Sequence, residues 1–361
     1  MTQPVLISDP ARITAAWLTE ALNSAGFDGR VNDFDAVSIG TGQVGENVRF
    51  SLSGSGDLPA TVVGKFASPD PVSRETGIST LNYKREVHFY QHLQSRVNIQ
   101  TPRCLFTDID NETHEYIILM EDLAPGEQGD QLGGCNADQA ELAMVQLAHL
   151  HGPVWGDTSI LDDELITSRR ANPGGIRELW DMVSPGFLAR YADRLTDAEK
   201  QMVGQVGEVL DLLNTSYSID DTLIHIDYRL DNMMFGGPHP LTVVDWQSPA
   251  FGCGLNDAAY FMGTSLAPEL RRETEIELLQ RYFSTLQTYN ADLSWDQCWQ
   301  YYCHHAPAGL IMAVIASMIV GETERGNDMF MAMAKRSAAM SRDLDSVNVI
   351  AAGKTLDERD Q

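Results

Sequence analysis

The sequence predicts an α+β protein in two parts, a strand-rich front and a helix-rich back. Three observations carry this. Short alternating apolar runs dominate up to about residue 122, helical periodicity dominates from Gln139 onward, and a turn-rich stretch, APGEQGDQLGGCNAD, separates the two textures. We therefore expect an N-terminal lobe over residues 1–122 and a helical C-terminal lobe over 123–361. A chain of 361 residues is long enough for two cores.

In the front part, Asp9-Pro10 reads as a helix cap, followed by Ile13, Trp17, Leu18, Ala21 and Leu22 at helical spacing. Val31–Ile39, Asn47–Ser53 and Ala60–Phe66 read as strands. A helix centred on 81–93 places Tyr83, Glu86, Tyr90 and Leu93 on one face, where a glutamate needs a partner. Strands follow at Arg103–Thr107 and Tyr116–Met120. In the back part, helices are expected at Gln139–His151, within 157–220, and at 256–266, 268–289, 295–320 and 327–343. Short strands at Met233–Phe235 and Leu241–Val244 interrupt them.

The net charge of −26 disfavours phosphate backbones and anionic surfaces as main partners, so neither nucleic acid nor a membrane is expected. Five cysteines without a C-x-x-C pattern argue against a disulfide framework. The start MTQPVLISDP has no signal-like pattern, and the apolar stretch Gly309–Val320 is shorter than the ~20 residues of a membrane span. The expectation is a soluble cytoplasmic protein.

Chemistry concentrates in three places. Gly40, Gly42 and Gly45 form G-x-G-x-x-G, but the alternating residues that follow suggest a loop between two strands rather than the strand-to-helix turn of a dinucleotide fold. A nicotinamide-dependent oxidoreductase is disfavoured accordingly. Lys65, in the apolar strand VVGKF, and Glu86, on an apolar helix face, each answer the other's need for a counter-charge, and such a pair can hold nucleotide phosphates. The stretch TLIHIDYRLDNMMFGGPHPLTVVDWQ contains H-x-D-x-x-x-x-N and then an apolar run ending in Asp245. Asp227 can accept a hydroxyl proton, while Asn232 and Asp245 offer the hard oxygen ligands that Mg²⁺ prefers.

This order of glycine loop, Lys65, Glu86, Glu121-Asp122-Leu123, H-x-D-x-x-x-x-N and Asp245 resembles the aminoglycoside phosphotransferase and choline kinase-like superfamily. LMEDLAPGEQGDQ, LHGPVWGD and HIDYRLDNMMF are similar to its ecdysteroid kinase-like branch. The resemblance runs from about residue 37 to about 265.

It implies a protein-kinase-like fold and ATP- and Mg²⁺-dependent transfer to a hydroxyl of a small molecule, such as an aminoglycoside, a choline-like amine or a sterol-like alcohol. Asp227 would be the catalytic base, Asn232 and Asp245 the metal ligands, and Lys65 the phosphate-binding residue with Glu86 as its partner. Glu121 to Leu123 would meet adenine, and Asp257 would support the catalytic loop. Ile226 departs from the glycine common in the family, and Trp246-Gln247 from its usual residues after the metal-binding aspartate. The absence of A-P-E and of a long activation segment points away from a protein kinase. The alternative is a nucleotide-binding pseudokinase that acts by interaction.

Two further clusters read as packing first. Cys298, Cys303, His304 and His305 could bind a metal, and Trp295, Trp299, Tyr301 and Tyr302 could line a site for a quaternary ammonium.

Overall fold

A computed structural model describes residues 4–40, 44–171 and 174–357. The front part runs α1 (Ala15–Ser24), β1 (Gly29–Ile39), β2 (Gly45–Gly56), β3 (Thr61–Ala67), α2 (Pro71–Ser79), α3 (Asn82–His88), β4 (Cys104–Ile109) and β5 (Tyr116–Glu121). The remainder runs β6 (Glu127–Gln128), α4 (Ala137–His151), α5 (Gly174–Arg190), α6 (Asp197–Val209), β7 (Thr222–Ile224), β8 (Met233–Phe235), β9 (Leu241–Val243), β10 (Ala250–Gly252), α7 (Gly254–Ser265), α8 (Pro268–Gln287), α9 (Trp295–His305), α10 (Ala308–Ile319), α11 (Glu324–Asp343) and α12 (Ser346–Asp357). The class is α+β, as the alternation of patterns predicts.

The chain folds as two compact units. The first takes residues 1–96, 100–126 and 236–248, and the second takes 97–99, 127–235 and 249–361. This division differs from a single cut near residue 122. The segment 236–248 lies in the first unit because Val243 N–H donates to the Gln100 carbonyl at 2.9 Å and Trp246 stacks on Phe89 at 3.9 Å.

The first unit is an antiparallel five-stranded sheet in the order β1-β2-β3-β5-β4. Helix α1 buries Trp17, Leu18, Ala21 and Leu22 against Phe50, Val62, Phe66 and Leu119 of that sheet. Its cap is Thr14, whose hydroxyl accepts from Trp17 N–H; Asp9-Pro10 starts only one 3₁₀ turn, Pro10–Arg12. Tyr83, Glu86, Tyr90 and Leu93 are all buried, as their spacing predicts. After His88, however, the helix widens into a single π turn over Phe89–Leu93.

In the second unit, β7 pairs with β10 and β6 with β8, both antiparallel, and helices supply most of the core. The expected helix over 295–320 is two helices, α9 and α10, meeting at Pro307, where a proline cannot continue the ladder. Together Trp295–Ile319 are long and apolar enough to span a bilayer by composition, yet 78% of the most apolar window is buried inside the protein.

Candidate active site

In the first unit the glycine loop joins β1 to β2, with Ile39 facing Asn47 in the antiparallel register, so a strand and not a helix follows it. Gly40 has φ +75, a left-handed conformation that glycine adopts without penalty. Gly42 lies outside the described residues. Gly45 opens β2 above Lys65, and a Cβ there would stand 3.3 Å from Lys65 Cε and 3.2 Å from the Phe66 carbonyl oxygen.

Lys65 sits on β3, flanked by β2 and β5, and is buried. Its Nζ donates to Glu86 Oε1 at 2.7 Å and to Asp245 Oδ1 at 3.0 Å. Burial opposes the lysine charge, but Asp245 and Glu86 together outweigh it and raise its pKa. Burial pushes the Glu86 carboxyl up to about 7 against the pull of Lys65. The predicted pair of Lys65 and Glu86 is thus joined within one unit, and Asp245, expected only as a metal ligand, also pairs with Lys65 there.

At the end of β5, Glu121 exchanges backbone and side-chain hydrogen bonds with Arg103: its N–H donates to the Arg103 carbonyl, and its Oε1 accepts from Arg103 N–H. Asp122 accepts from Arg49 at 2.6 and 2.9 Å. The Leu123 carbonyl accepts from Gly126 N–H at 2.8 Å.

In the second unit, β7 delivers the chain into His225-Ile226-Asp227. The fully buried Asp257, on α7, accepts from His225 N–H at 2.6 Å and from Ile226 N–H at 3.1 Å. Ile226 has φ +73, an unusual conformation for a β-branched residue. These two bonds hold it there. Replacing it with glycine removes roughly 1–2 kcal/mol of left-handed strain and adds back ~0.5–1 kcal/mol of unfolded-chain entropy. We expect Ile226→Gly to add up to ~1 kcal/mol of stability and so to raise the urea midpoint; a lower midpoint would mean that Ile226 packing dominates.

Asp227 is gripped from three sides. Tyr260 Oη donates to Oδ1 at 2.8 Å, Asn232 Nδ2 to Oδ2 at 2.9 Å, and Arg229 Nε to both oxygens at 2.9 and 3.1 Å. Burial would raise its pKa, but Arg229, Tyr260, His225 and Asn232 outweigh that and hold it below the ordinary aspartate value. Asn232 also bonds the Asp227 carbonyl through the same nitrogen at 2.9 Å, which leaves its amide oxygen for a hard cation. Asp231 accepts from Arg229 at 2.7 Å and from Arg325 at 3.1 Å, and Gln131 ties the loop to the Thr264 carbonyl and Leu230 N–H.

Sequence reasoning missed Tyr260, Arg229 and Gln131 as partners. Tyr260 had a signal: it lies three residues after Asp257 and therefore on the same face of a helix. Of the two further clusters, the cysteine–histidine group packs in the helical core, and in the aromatic group Tyr301 and Tyr302 do so while Trp295 and Trp299 stay half-buried. Among the described residues no group of three or more metal-ligating side chains comes together, and His304 Nε2 lies 2.9 Å from the Leu213 carbonyl oxygen. Tyr301 and Tyr302 are buried, with their hydroxyls on Ser218 N–H and Glu275.

The same fold recurs in solved proteins. An aminoglycoside 2′-phosphotransferase-IIIa mutant in its GDP complex superposes with a TM-score of 0.52 at 12% identity, over 87% of this chain and 92% of that one. A microcompartment-associated aminopropanol kinase gives 0.50 at 13%, over 93% and 99%. A choline/ethanolamine kinase family protein from Mesorhizobium loti gives 0.50 at 13%, over 92% and 94%.

The fold is that of the aminoglycoside phosphotransferases and choline kinases. The model of the ecdysteroid kinase-like family matches residues 172–295, the stretch that holds Asp227, Asn232, Asp245 and Asp257. Among curated proteins, no relative matches the sequence.

Proposed function

We propose that this protein transfers the γ-phosphoryl group of ATP to a hydroxyl group of a small molecule. The observation that carries the reading is the Asp227 carboxylate, held ionised and oriented by Tyr260, Asn232 and Arg229. The buried Lys65, tied to Glu86 and Asp245, supports it as a grip for nucleotide phosphates.

Asp227 fixes the acceptor hydroxyl and takes its proton as the new O–P bond forms. The bond from the γ-phosphorus to its bridging oxygen breaks, and ADP leaves with that electron pair. A depressed pKa suits orientation and late proton transfer more than early deprotonation. Gly40, Gly42 and Gly45 would cover the phosphates, and the backbone of Glu121 and Leu123 would meet the base. Asn232 and Asp245 provide oxygen donors of the type Mg²⁺ takes, and the ion would supply charge neutralisation on the phosphates.

The test is ADP release against a panel of alcohols, amino sugars and choline analogues, run beside thermal unfolding with ATP and Mg²⁺. We expect stabilisation by ATP of about 2.7 kcal/mol at a hundredfold excess over Kd, none by NAD, and turnover with at least one alcohol. Stabilisation by ATP with no turnover across the panel would favour a pseudokinase instead.

A further inference from the structure

Close to the strand that leads into the catalytic loop, the second unit holds two basic side chains without a hydrogen bond or ion pair of their own among the described residues. Arg169 N–H donates to the Phe251 carbonyl at 2.8 Å, which runs residue 169 alongside β10. Its stem lies over Gly252, which Ile224 also approaches: a Cβ on Gly252 would stand 2.9 Å from Arg169 Cγ and 3.1 Å from Ile224 Cδ1. Ile224 immediately precedes His225-Ile226-Asp227. The Arg169 guanidinium, half-buried, has no hydrogen bond or ion pair among the described residues, in a chain with 51 acidic residues.

Its neighbour Arg170 shows what a committed arginine looks like here. It reaches Asp221 at 2.7 Å and the carbonyls of Tyr217 and Ile219 at 2.9 and 2.5 Å, and stacks on the Tyr217 ring at 3.8 Å. The His305 ring lies 5.5 Å from the same Tyr217 ring. His305 is completely buried, and neither of its ring nitrogens has a partner. Burial, then His304, Arg169 and Arg170, keep it neutral. Buried polar groups are rarely left unpaired in native proteins, and those that are call for a ligand or solvent explanation.

The acids nearby are spoken for. Asp227 and Asp231 face Arg229, Asp231 also faces Arg325, and Asp257 faces backbone amides and His151, touching Arg169 only through its longer-range field. An ammonium-bearing acceptor would find no uncommitted carboxylate among these three, whereas an anion would find Arg169.

We propose that Arg169, backed by His305, receives an anionic group of the acceptor, and that the phosphorylated alcohol carries a carboxylate. A single guanidinium fork matches the two oxygens of a carboxylate, while a phosphate dianion calls for more donors than Arg169 alone offers. The inference deepens the phosphotransferase reading and rests on it.

The experiment compares wild type with Arg169→Met by thermal unfolding and by ADP release. The probes are glycolate, lactate and 3-hydroxybutyrate, their amides, glycerol phosphate and ethanolamine. Wild type is expected to be stabilised by the hydroxycarboxylates, and to favour them over the amides by roughly 30-fold or more in kcat/KM. In Arg169→Met that ratio falls to about one, and the free protein unfolds at the same or a higher temperature, because a half-buried charge without an ion-pair partner has gone.

A lowered unfolding temperature with the ratio unchanged would make Arg169 a structural residue and overturn the inference. Preference for glycerol phosphate or ethanolamine over the hydroxycarboxylates would overturn it as well. The ATP–Mg²⁺ shift, read in the same runs, separates the two failures. If it persists without carboxylate discrimination, the anion subsite falls and the phosphotransferase reading stands. If it disappears along with all ADP release, that reading falls, and the subsite with it.

Discussion

Asp227→Ala should reduce phosphoryl transfer by about 10³-fold or more, the upper range of what a positioned acid–base group contributes. The loss should fall on kcat, because the carboxylate acts on the hydroxyl as the new bond forms. The fold should survive: Arg229 keeps Asp231, and the Asp257 clamp on His225 and Ile226 does not involve the altered side chain. Stabilisation by ATP and Mg²⁺ should therefore persist. Turnover at the wild-type rate would remove Asp227 from the mechanism. Since Arg229 and its neighbours hold the Asp227 pKa down, wild-type kcat/KM should show no ionisation of this residue through the neutral range.

Lys65→Met should damage both stability and nucleotide binding. Removing one member of a buried ion pair costs about 3–5 kcal/mol, because the remaining charge loses its partner. Here that charge is Glu86, whose side chain is 2% exposed. The cost should depend on pH. Burial already raises the Glu86 carboxyl to about 7 with Lys65 present, and without Lys65 it rises further.

A carboxyl whose pKa is raised in the folded state binds more protons there than in the unfolded chain. Its contribution is therefore favourable at low pH and is lost as pH increases. The deficit relative to wild type should be smallest near pH 5 and widen toward pH 8. Denaturant melts across that range would check it; a deficit independent of pH would mean that Glu86 stays ionised throughout.

Much of the candidate site is legible in the sequence because local periodicity carries it. Glu86 shares a helical repeat with Tyr83, Tyr90 and Leu93, so its burial, and hence its need for a cation, follows from spacing alone. Lys65 is exposed to the same reasoning through the apolar run around it. Other features depend on tertiary contacts that no local pattern encodes.

The return of residues 236–248 to the first unit rests on Val243 meeting Gln100 and Trp246 meeting Phe89, pairs more than a hundred residues apart. Ile226 illustrates the opposite limit. Its identity argues against a left-handed backbone, yet it adopts one, because Asp257, about thirty residues downstream, supplies two acceptor oxygens that overrule local preference. Arg229 lay in plain view inside the motif, but only the folded loop reveals that it braces Asp227.

The excursion of the chain also sets an order of events during synthesis. A ribosome that has finished Gly126 has not yet made Asp245 or Trp246, which belong to the same compact unit. Those residues follow about 120 positions later, on the order of 6–24 s at ordinary elongation rates. Until then Phe89 lacks its stacking partner and Lys65 lacks one of its two carboxylates. The N-terminal sheet therefore emerges first but is completed only after about half of the helical unit has been translated, so fragments ending near residue 126 should expose apolar surface that the whole chain covers.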